Sequence, residues 1–125
     1  MANAMLFFGV TSHEFRDGFD RDKLSELCKG GPLDERDGGG EPRWVRAVNE
    51  RINEYGCSVV VHGADECEMY GLCLNETELV ADGWDYKKVT ISEPGFDRVH
   101  QLLRAIDCVW GDHEERPGWV LTVRE

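Results

Sequence analysis

The sequence predicts one α+β domain: an antiparallel or mixed sheet of about five strands, with two main helices and one short helix. Three observations lead there. Short β-prone apolar runs lie at both ends and in the middle of the chain, and one of them, residues 67–74, has the two-residue alternation of a strand. Two long stretches carry apolar residues at helical spacing between those runs. The 125 residues, 41% of them hydrophobic, suffice for one core and not for two.

The elements follow in order. Met5 to Thr11 is apolar and β-prone and reads as the first strand. Asp20 is placed as an N-cap, with Phe19 and Leu24 spaced as a hydrophobic staple. Leu24, Leu27 and Cys28 give the short helix its apolar stripe, and Gly30 and Gly31 stop it. Residues 29–41, rich in glycine, are expected to form a flexible loop within the single domain 1–125. Pro42 opens a main helix reaching Tyr55, with Trp44, Val45, Val48, Ile52 and Tyr55 on one face, and Gly56 ends it.

Cys57 to Val61 is β-branched and reads as a central strand. Residues 67–74 alternate as a second one. Asp82-Gly83 resembles a hairpin turn between Glu78–Ala81 and Trp84–Ile91, while Asn75 to Glu78 resembles a capping box opening a helical turn. Both readings make Tyr86 to Ile91 a strand. Ser92 and Pro94 open the second main helix. Phe96, Val99, Leu102, Leu103, Ile106, Val109 and Trp110 are its expected buried stripe. Trp119 to Val123 is the last strand.

Charge is the most distinctive property of the chain. Its net charge is −11. Residues 52–86 contain eight acids, Glu54, Asp65, Glu66, Glu68, Glu76, Glu78, Asp82 and Asp85, and no Lys or Arg. Such a balance argues against direct binding of nucleic acid, which needs bases to displace counterions from phosphates. It favours a basic protein surface as partner. No apolar run is long enough to cross a membrane, and Ala4 to Val10 lacks the basic flank of a signal peptide. Five cysteines without a secretory leader suggest reduced thiols and a cytoplasmic protein.

Motifs for chemistry are scarce. Cys57, His62, Cys67 and Cys73 lie close in sequence, but no CxxC or HExxH pair occurs, and an extended strand would hold Cys67 and Cys73 about 20 Å apart. No GxSxG elbow and no phosphate-binding glycine motif is present, so neither a metal nor a cofactor is expected. His13-Glu14, after the first strand, and the glycine-rich loop form the one candidate enzyme site.

These observations lead to an expected function: a small acidic interaction module that inhibits a partner by occupying its basic, possibly nucleic-acid-binding, surface. Phage anti-defence proteins of the anti-CRISPR kind and immunity proteins are analogous in class, though no motif is shared. The expected binding residues are Asp65, Glu66, Glu68, Tyr70, Glu76, Glu78, Asp82, Trp84 and Asp85, with the two aromatics as anchors. The alternative is a small enzyme working at His13 and Glu14.

Overall fold

A computed structural model describes residues 3–12, 18–36, 40–62, 69–83, 86–111 and 116–124. It has the expected α+β architecture: a five-stranded antiparallel sheet with three helices. The strands are β1 (Asn3–Ser12), β2 (Cys57–His62), β3 (Met69–Leu74), β4 (Leu79–Asp82) and β5 (Gly118–Arg124). The helices are α1 (Arg21–Leu27), α2 (Arg43–Ile52) and α3 (Phe96–Val109).

β1 organises the sheet. β5 runs along one of its edges from Asn3 to Gly9. β4 and β3 share the other edge, β4 opposite Asn3–Leu6 and β3 opposite Gly9–Ser12. Among the described residues β2 pairs only with β3. Paired residue numbers sum to 82 along β3 and to 85 along β4, so Asn75–Thr77, a single 3-10 turn, is a three-residue insertion into one interrupted strand. The Thr77 hydroxyl closes the gap. It accepts from the Phe8 N–H at 3.0 Å and donates to the Leu74 carbonyl at 2.7 Å.

The sheet turns a corner there. A side chain at Gly9 would collide with the Leu72 carbonyl, so the backbones approach as only glycine permits. In a flat sheet His62 would lie at the opposite end from Asn3, about 30 Å away along β1. Instead His62 Nε2 is 2.6 Å from Asn3 Oδ1, and its Nδ1 meets the Thr122 hydroxyl. The half made of β2, β3 and the end of β1 has folded toward the half made of β4, β5 and the start of β1. The concave side between them buries Met5, Phe7, Val60 and Cys73. Gly71 fits here because a Cβ would stand 2.8 Å from Phe7 Cζ and 2.9 Å from Val60 Cγ2.

The convex side carries the larger core. Phe8, Val10, Val59, Tyr70, Leu72 and Leu74 pack beneath the helices, with an aromatic run from Phe19 to Trp44 to Tyr70 at centroid distances of 4.8 and 5.0 Å. The helices are fastened by polar contacts at their ends. Asp20 caps α1 by accepting from the Asp22 and Lys23 N–H groups. α1 ends in a Schellman pattern, with Gly30 N–H bonded to Ser25 O and Lys29 N–H to Glu26 O. The left-handed residue of that pattern is Lys29, one position before the expected glycine stop. Lys23 Nζ reaches the Trp110 carbonyl at 2.7 Å and so ties α1 to the end of α3. Residues 33–35 lie against the start of α2, where Leu33 and Glu35 carbonyls accept from Trp44 and Arg43 N–H. Residues 37–39 of the glycine-rich stretch lie outside the described residues.

Several expectations need correction. α2 is α-helical only to Ile52 and finishes as a 3-10 turn at Asn53–Tyr55, with Gly56 left-handed after it. Tyr86 to Ile91 is not a strand, and no hairpin forms at Asp82-Gly83. β4 pairs with β1 instead, and its non-local partner overrides the local turn signal. On α3, Leu102, Ala105, Ile106 and Val109 are buried, whereas Phe96 is 84% and Leu103 43% exposed. At 3.6 residues per turn those two lie about 100–120° round from the centre of the buried face.

Candidate binding surface

Of the nine expected binding residues, four lie among the described residues: Tyr70, Glu76, Glu78 and Asp82. Tyr70 is a core residue, 1% exposed, so it is not an interface anchor. Strand alternation turns it toward Trp44. Glu76 sits on the inserted turn and is held by Arg98 of α3, with Nε and Nη2 at 2.7 and 2.8 Å from its two oxygens. This bidentate bond lowers the Glu76 pKa below the ordinary carboxylate range. Glu54 pairs with Arg51 at 2.6 Å, and that bond lowers its pKa too. Glu78 and Asp82 are exposed and form no salt bridge among the described residues. Asp65, Glu66, Glu68, Trp84 and Asp85 lie outside the described residues.

Arg98 also donates to the Tyr55 and Gly56 carbonyls. It therefore joins α3, the end of α2 and the inserted turn, which makes Glu76 a structural residue. A base twenty-two positions away in sequence neutralises it, and a linear charge window cannot register that pairing.

A different surface stands out. The three helices cover the convex side of only one half of the sheet. On the other half, Ala4, Leu6, Leu79, Ala81, Leu121 and Val123 share the convex side by their pairing register. Leu121 and Val123 are 65% and 67% exposed. An open apolar trough of about 140 Å³ runs here between Leu6, Leu79, Leu121 and Val89.

Residues 86–94 lie beside this trough. Among the described residues they form no hydrogen bond, and all but Pro94 are exposed. Yet the stretch reads Tyr-Lys-Lys-Val-Thr-Ile, composition that favours strands. Tyr86, Val89 and Ile91 in the stretch are exposed, as are Phe96 and Leu103 on α3 after it. Sequence reasoning missed this because it assigned every large apolar residue of α3 to the core. Including Ala105 in the helical stripe would have rotated the buried face away from Phe96 and Leu103.

Catalytic groups do not converge to the same degree. His13 and Glu14 lie outside the described residues. A polar cleft of about 630 Å³ opens between the 3-10 turn and α3, lined by Glu54, Tyr55, Asp97, His100, Gln101 and Arg104. Its lining offers no Ser, Thr, Cys or Lys nucleophile, and Arg104 Nε donates to His100 Nε2 at 3.2 Å. Burial raises the thiols of Cys57 and Cys73 to about 11 and about 12, so neither is an activated nucleophile. Among the described residues no three His, Cys, Asp or Glu side chains are grouped to hold a metal ion, and no helix is long and apolar enough to cross a membrane.

Comparison with protein-family models, with curated proteins and with solved structures finds no match for this chain.

Proposed function

We propose that this protein is a non-catalytic binding module whose partner is a protein with a basic surface, and that it acts by covering that surface. The observation that carries the reading is the stretch 86–96. It combines strand-forming composition, a backbone that over 86–94 bonds to no described residue, and the exposed rings of Tyr86, which closes the 35 residues that hold no base, and of Phe96 at the start of α3. A fold alone gives no reason to leave such a segment unpaired, and local–global conflicts of this kind mark functional sites.

The two features divide the work physically. Net negative charge attracts a basic partner over long range and is screened by salt, so it acts on the association rate. Tyr86, Ile91 and Phe96 act after contact, by losing water against the partner, so they act on dissociation. A partner that normally binds nucleic acid through its basic surface would be blocked by this occupancy.

The test is affinity capture from native host lysate at low salt, with the parent chain and a Tyr86→Ser/Ile91→Ser/Phe96→Ser variant as baits. The expected result is a basic protein recovered by the parent and lost with the variant. In kinetic measurements on that protein, reversing Glu66, Glu68 and Asp85 to Lys should slow association with no loss of melting temperature. Equal recovery by both baits, or an association rate unchanged by charge reversal, would contradict the reading.

A further inference from the structure

We propose that Thr90 is a phosphorylation site, modified in the folded chain by a protein kinase whose peptide groove is acidic. The inference does not rest on the partner proposed above, because its readout is phosphate on Thr90 and not the capture of a protein.

The fold singles out this hydroxyl. The chain has eight Ser and Thr residues. Thr11 and Ser12 lie in β1, Ser25 in α1, Ser58 in β2, Thr77 in the inserted turn and Thr122 in β5. The Thr77 and Thr122 hydroxyls are also bonded within the fold. Thr90 and Ser92 alone stand outside every helix, strand and turn, and both are exposed. A kinase takes its substrate as an extended segment with main-chain groups free to meet the groove. Residues 86–94 bond to no described residue, which leaves four such positions on each side of Thr90. No helix or strand has to open first.

Charge separates Thr90 from Ser92. Between Arg51 and Arg98 the only bases are Lys87 and Lys88, three and two positions before Thr90. Both are exposed, and neither forms a salt bridge among the described residues. Two ammonium groups directly before a free hydroxyl complement carboxylates lining a kinase groove, the kind of charge pattern by which kinases choose substrates. From Ser92 the same lysines are two places further away.

The transfer balances with ATP as donor. The Thr90 Oγ1–H bond breaks, an Oγ1–P bond forms to the γ-phosphorus, ADP leaves, and the proton passes to the kinase's catalytic carboxylate. The product carries nearly two negative charges, which offset Lys87 and Lys88. Thr90 also lines a cleft of about 370 Å³ with Glu76, Glu93 and Arg98. The phosphate therefore competes with Glu76 for the guanidinium that ties α3 to the inserted turn.

The test incubates the full chain with ATP, Mg²⁺ and a purified Ser/Thr kinase that selects bases two and three positions before its target. The expected result is an intact mass showing one phosphoryl group per chain, with fragmentation placing it on Thr90. Thr90→Val should stay unmodified. Lys87→Gln/Lys88→Gln should take up phosphate more slowly by about tenfold or more, the worth of one charge-assisted hydrogen bond. Circular dichroism confirms that both variants fold like the parent. A folded parent chain that takes up no phosphate overturns the inference. So does phosphate mapped to Ser92 or any other hydroxyl, or a rate indifferent to the two lysines.

Discussion

At the scale of single residues, the fold is decided by close approaches. Gly71 faces Phe7 and Val60 at distances that leave no room for a methyl group. Gly71→Ala should therefore destabilise by about 1–3 kcal/mol, as overpacking does. Gly95→Ala, whose new carbon would meet nothing within 4 Å, should be nearly neutral. Urea denaturation of the two variants gives the comparison. The buried thiols permit a second measurement. With pKa values raised to about 11 and about 12, Cys57 and Cys73 are no more than about one part in a thousand thiolate at pH 8. A disulfide reagent at pH 8 should modify them only on unfolding, and fast labelling of either in the folded chain would show that its burial is misassigned. Glu76 gives a pH dependence with a definite sign. Its folded pKa is lowered by Arg98, so the stabilisation is present above the ordinary carboxylate range and is lost as pH falls through the folded value. Half-exposure of the pair keeps the effect small. Glu76→Gln should flatten the acid limb of a plot of melting temperature against pH.

At the scale of elements, local signals were read well and non-local ones poorly. The Asp20 cap, the α2 stripe from Trp44 to Ile52 and the strands at Met5, Cys57 and Trp119 were all legible, because caps and periodicity act within a few residues. For residues 75–83 the sequence offers a helical turn or a hairpin; a 3-10 turn forms at Asn75–Thr77, and β4 follows it without the hairpin partner. What the sequence could not reveal is that the turn is an insertion whose register jump bends the sheet, since that depends on where β1 passes. Thr77 is the test. Thr77→Val removes the acceptor of the Phe8 N–H while keeping the shape, and should cost about 1–3 kcal/mol through the unpaired donor. The two main helices supply another contrast. Ile52→Ala should cost about 2–5 kcal/mol because Ile52 is fully buried, whereas Leu103→Ala, on the open side of α3, should cost far less. Equal losses at the two sites would mean that α3 is rotated from its described orientation.

At the scale of the whole molecule, half of the sheet is packed under helices and half is left with an apolar convex side. The acidic balance was plain from composition, but its spatial form was not. Arg51 and Arg98 neutralise Glu54 and Glu76 from outside the base-free stretch, and Tyr70 belongs to the core. The surplus charge that remains should still repel itself, so melting temperature should rise with salt even though individual ion pairs weaken. We propose that residues 86–94, strand-forming in composition but in no strand, are kept ready for a protein partner. Amide hydrogen exchange reads this segment directly. In the free chain its amides should exchange nearly as fast as those of an unfolded peptide, because they donate to no group among the described residues. With the captured basic partner added, the same amides should be strongly protected while β2 and β3 remain unchanged. Amides already protected in the free chain, or left exchanging freely in the complex, would contradict the account.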